Sequence, residues 1–121
     1  MKERKTLLVI LRQPPYGTSL ARASLDTALA AAALEQPVSL LFLGDGVLQL
    51  LPDQQSEAIG VKNIGRLLGS LPLYDIDKVY IDAAAADRYQ LESDDLVLPV
   101  TPLDPAAMRG LINASDHVIG F

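Results

Sequence analysis

Apolar residues fall along this chain in short, dense runs separated by breaks at proline, glycine or charge. Val38-Ser-Leu-Leu-Phe-Leu43 is the clearest run. It stops at Gly44-Asp45-Gly46 and resumes as Val47-Leu-Gln-Leu-Leu51-Pro52. A continuous apolar run of this length, bounded by turn residues, reads as a strand buried on both faces. The glycines after it set a turn and a loop at the carboxyl edge of a sheet, where α/β folds keep their sites. Thr6-Leu-Leu-Val-Ile-Leu11 is a second run of the same kind. Asp77-Lys-Val-Tyr-Ile-Asp82, Leu96-Val-Leu-Pro-Val100 and Asp116 to Phe121 are predicted as three more strands. Pro99 places the fourth near an edge, because proline gives no donor to a ladder.

Between the strands the period lengthens to that of a helix. Pro14-Pro15-Tyr16-Gly17 breaks the chain. Thr18 or Ser19 then caps a helix to about Leu34, with Leu25, Ala28, Leu29 and Ala32 on one face. From Ser56, the residues Gly60, Ile64, Leu67, Leu68 and Leu71 keep helical spacing up to Pro72. Ala83 to Gln90 starts a short helical segment. Asp104-Pro105 pairs a good N-cap with proline at the first helical position, leading Met108, Leu111 and Ile112 on one stripe to Asn113. Strands alternating with helices predict one domain over residues 1–121. It is an α/β three-layer sandwich, with a mainly parallel five-stranded sheet and helices on both faces.

Composition narrows the chemistry. The 121 residues contain no cysteine and one histidine, His117. That removes disulfides, thiolate-bound zinc, iron–sulfur clusters, thiol nucleophiles and histidine-rich metal sites. A net charge of −5 opposes a nucleic-acid backbone as the main partner. The apolar stretch Leu7 to Leu11 is too short for a signal peptide or a membrane span, so a cytoplasmic location is expected. Half of the residues are hydrophobic, which suggests that other subunits cover part of the surface.

Gly44-Asp45-Gly46 follows a strand as a dinucleotide fingerprint would, but Gln49 stands where the third glycine belongs and Asp45 puts a negative charge where phosphate should lie. His117 has no carboxylate to orient it, since Asp116 beside it points to the opposite face of a strand. The loop Pro15, Tyr16, Gly17 shares the carboxyl edge with Asp45 and Asp82, either as a rigid turn or as part of a site. These residues leave open a small-molecule-binding α/β protein that uses the Tyr16 and Asp45 loops.

Three stretches together resemble the TusC/DsrF branch of the DsrE/DsrF/DsrH-like sulfur-relay superfamily. They are Pro15-Tyr16-Gly17-Thr18, then Gly44-Asp45-Gly46-Val47 with Gln49-Leu50-Leu51-Pro52, and Leu73-Tyr74-Asp75-Ile76 leading into Val79-Tyr-Ile-Asp82-Ala83-Ala84. The ending Ala114-Ser-Asp116-His-Val-Ile119-Gly-Phe121 is similar to the close of such chains. The resemblance implies a bacterial, cytoplasmic subunit of a heterohexamer with TusB-like and TusD-like chains. That assembly takes persulfide sulfur from a TusA-like donor and passes it to a TusE-like acceptor for tRNA 2-thiouridine synthesis. In sulfur-oxidising bacteria the similar Dsr complex serves dissimilatory sulfur metabolism instead.

In the resembling TusD/DsrE subunits the reactive cysteine follows the third strand, and here that position is Asp82. A carboxylate cannot carry sulfane sulfur, because relay needs an attacking thiolate. The resemblance therefore implies a non-catalytic subunit with no catalytic, cofactor-binding or metal-binding residues and no cofactor. Asp82 is then expected to cap the helical segment from Ala83, and Pro15, Tyr16, Gly17, Gly44, Asp45, Gly46 and Asp82 are loop or interface residues. Arg88-Tyr89-Gln90 departs from the arginine–glycine pattern common there and receives no binding role. A stand-alone homo-oligomer of the same fold is a further alternative.

Overall fold

The computed structural model describes residues 5–14, 20–51, 68–92 and 96–121. Five strands form one sheet: β1 (Leu7–Leu11), β2 (Val38–Phe42), β3 (Lys78–Asp82), β4 (Thr101–Leu103) and β5 (His117–Gly120). Their order is β4-β3-β2-β1-β5, and every neighbouring pair is parallel. The register pairs Leu7 with Val38 and with His117, Ser39 with Lys78, and Tyr80 with Thr101. The chain steps one way from β1 to β4 and then returns across the sheet to β5. Strand order thus reverses between β1 and β5, the switch point where an open α/β sheet forms its crevice.

The apolar runs produce this arrangement directly. Leu7, Val9 and Leu11 alternate with Leu8 along β1, and all four are buried. Leu7, Val9, Leu11, Leu40, Phe42, Val79 and Ile81 form one core on a single sheet face, closed by Leu25 and Ala28 of helix α1 (Leu20–Ala33) and Ala85 of helix α2 (Ala83–Arg88). Leu8 and Leu41 point to the other face and are fully buried there. The return connection, helix α3 (Pro105–Ala114), belongs to that second face, because a right-handed crossover running backwards must use the opposite side. Asp104 caps α3 as its sequence predicts, its Oδ1 accepting from the Ala107 N–H at 2.7 Å, with Pro105 in the first turn.

Two expectations shift. Leu96 to Val100 is not a strand, and β4 comes five residues later at Thr101–Leu103. The Val97 N–H bonds to the Leu50 carbonyl rather than to a strand neighbour, which ties this stretch to the turn after β2. Pro102 then takes the place foreseen for Pro99, in a short edge strand that can spare a donor. The second shift concerns Val47 to Leu51, which continues the Gly44 turn as a 3-10 helix over Gly44–Leu50 with Val47 and Leu50 fully buried. The helix expected from Ser56 falls mostly outside the described residues. Its last residues reach Leu68, which is buried, and a second 3-10 turn at Leu71–Tyr74.

Candidate functional site

The carboxyl ends of the strands meet at one edge, and hydrogen bonds cross that edge from β5 to α2. At its outer end, the Arg12 N–H and Nε both donate to the Phe121 carbonyl, at 3.1 and 3.3 Å. Next, the Leu43 N–H donates to the Leu11 carbonyl at 2.9 Å, joining the ends of β1 and β2. The 3-10 helix lies hard against that junction. A Cβ on Gly46 would stand 1.9 Å from the Leu11 carbonyl oxygen, so only glycine lets the two backbones approach this closely. Gln49, fully buried, donates through Nε2 to the Gln13 carbonyl at 2.9 Å and fixes the start of the β1–α1 loop.

Asp82 closes the other half of the edge. It ends β3, is 8% exposed, and caps α2 with Oδ1, which accepts from the N–H groups of Ala84 at 3.2 Å and Ala85 at 3.4 Å. Its Oδ2 accepts from the Gly44 N–H at 3.2 Å, reaching across to the turn after β2. Gly44 takes a φ of 56°, a left-handed conformation that glycine adopts without a Cβ penalty. One residue on, Asp45 accepts a hydrogen bond from the Tyr89 hydroxyl at the far end of α2. The acceptor carboxylate raises the Tyr89 pKa above its ordinary value, since ionising the phenol would forfeit the bond and set two negative charges together. The Arg88 guanidinium lies 5.9 Å from the Tyr89 ring centre. The Gly44–Asp45 turn is thus held at both ends of α2.

Of the residues singled out in the sequence, Gly44, Asp45, Gly46 and Asp82 come together here, while Pro15, Tyr16 and Gly17 lie outside the described residues. Tyr89, Gln49 and Arg12 were missed as members of the edge. Gln49 carried a legible signal, being the one polar residue inside an apolar run. Tyr89 carried none, because its partner is 44 positions away. His117 is exposed, and Asp116 is engaged with the N–H and hydroxyl of Thr6 at 2.8 and 3.2 Å.

Among the described residues, the polar groups of the edge bond to one another. The Asp82 carboxylate accepts from three backbone N–H groups and meets little solvent, so its oxygens are engaged in capping α2 and holding the Gly44 turn. Among the described residues no group of three or more His, Asp or Glu side chains is placed to hold a metal ion. A cavity beside α2, lined by Ile81, Ala86, Leu91, Leu96 and Pro102 among others, measures about 150 Å³. No helix among the described residues is long and apolar enough to cross a membrane.

The described residues form a wholly parallel five-stranded α/β sheet whose carboxyl edge is laced by its own hydrogen bonds, and that architecture is the class of protein to which the chain belongs. The comparisons specify the class. The chain belongs to the DsrE/DsrF-like family, whose model matches residues 5–121. It is 38% identical over 115 residues to a protein TusC homolog of Pseudomonas aeruginosa, covering 95% of this chain and 97% of that one. The fold matches the crystal structure of the ychN protein from E. coli with a TM-score of 0.85 at 20% identity, over 97% of this chain and 99% of that chain. A conserved protein of unknown function from Bacteroides thetaiotaomicron matches with a TM-score of 0.66 at 9% identity, over 97% and 95% of the two chains.

Proposed function

We propose that this chain is a non-catalytic, TusC-type subunit of a cytoplasmic sulfur-relay complex that serves 2-thiolation of the tRNA wobble uridine. Its direct partners are TusB-like and TusD-like subunits in a heterohexamer. A TusA-like donor and a TusE-like acceptor meet the assembly, and the chain itself touches neither nucleic acid nor membrane. The observation that carries this reading is Asp82. It ends β3, at the position that by the sequence resemblance corresponds to the thiol of the sister subunits, and its carboxylate accepts from the N–H groups of Gly44, Ala84 and Ala85. The likeness to the TusC homolog over nearly the whole of both chains supports the subunit type.

Under this reading Asp82 shapes the edge and transfers nothing. Co-expression with TusB-like and TusD-like chains followed by native mass spectrometry tests the assembly. A complex containing all three supports the reading, and a chain that binds neither partner refutes it. In a strain lacking this gene, tRNA 2-thiouridine should fall. Asp82→Asn, which keeps one oxygen to cap α2 and loses only the acceptor for the Gly44 N–H, should restore it. An Asp82→Asn protein that assembles normally yet leaves tRNA unthiolated would show that the carboxylate takes part in the chemistry.

A further inference from the structure

We draw no further inference here: the strongest candidate, the cleft of about 250 Å³ at the amino edge of the sheet where Glu35, Gln36, Tyr74 and Asp75 meet, is an acidic cluster, and nothing in the structure shows what fills or covers it.

Discussion

Gly46 is the position at which the carboxyl edge is least tolerant of change, and Gly46→Ala tests the backbone junction of β1 and β2 with a single methyl group. The added Cβ would sit 1.9 Å from the Leu11 oxygen, 2.7 Å from the Leu11 carbonyl carbon and 3.2 Å from the Arg12 Cα. All three are backbone atoms, so no rotamer change can relieve the contact. The Leu11 carbonyl also accepts the Leu43 N–H, so moving it weakens the bond that joins the ends of β1 and β2. Overpacking costs of about 1–3 kcal/mol and a disturbed hydrogen bond of about 1 kcal/mol put the total near 3 kcal/mol.

For 121 residues an unfolding entropy of about 0.25 kcal/mol/K converts that loss into a Tm lower by about 12 °C. Gly44→Ala, two residues away, is the control. Nothing lies within 4 Å of its added Cβ, and its cost is only that of a left-handed alanine at a φ of 56°, about 1–2 kcal/mol. Urea unfolding followed by circular dichroism measures both. A Gly46→Ala protein within 1 kcal/mol of the parent, or less affected than Gly44→Ala, would refute the close approach of the 3-10 helix to β1.

Asp82→Ala should cost about 2 kcal/mol or more, from the lost helix cap and the Gly44 N–H left without its acceptor. Asp82→Asn should keep the share of the helix cap and lose that of the Gly44 bond, since its one oxygen can cap α2 while its NH2 cannot accept from the Gly44 N–H, as urea midpoints would record. Tyr89→Phe removes the bond to Asp45. Because that bond raises the Tyr89 pKa, its contribution is complete below the ordinary tyrosine value near 10 and fades as pH rises through the raised one. The stability difference between parent and variant, present at pH 8, should therefore close in strong alkali. Asp116 behaves oppositely: the Thr6 N–H, the largest influence, lowers its pKa, so its contribution is present above the ordinary carboxylate value near 3.8 and disappears as pH falls through the lowered one. Acid unfolding of Asp116→Asn should show a shallower loss of stability below about pH 4 than the parent.

The centre of the sheet was legible because β1 and β2 are buried on both faces. A strand of that kind writes itself as an unbroken apolar run, and β1 and β2 begin and end within a residue of where the runs do. Its one misplaced strand is the exception that follows the rule. β4 is an edge strand with no buried residue, so Thr101-Pro102-Leu103 has no apolar run to announce it, whereas Leu96 to Val100 has such a run for a different reason. Those residues pack on the core as an irregular segment that reaches back to Leu50.

The candidate edge divides along the same line between local and distant partners. Asp82 was legible as a helix cap because its partners Ala84 and Ala85 are next to it in sequence, and Gly44 was legible as a turn. The clamps from Asp82 to Gly44 and from Tyr89 to Asp45 join residues 38 and 44 positions apart, and no local pattern specifies them. Those clamps turn a strand end into a closed surface. The buried carboxylate needs three donors, and Gly44 can offer one only while the β2 turn stays seated by Gly46 against Leu11. Replacing Asp82 with a residue that cannot accept these bonds therefore frees the turn as well as the helix start. The edge thus behaves as one cooperative unit in which Gly46 and Asp82 hold the same turn from opposite sides. Their substitutions should cost less together than the sum of each alone, a coupling that a double-mutant cycle of Gly46→Ala and Asp82→Ala reads directly. Strict additivity within about 0.3 kcal/mol would mean that the two sides of the turn are held independently.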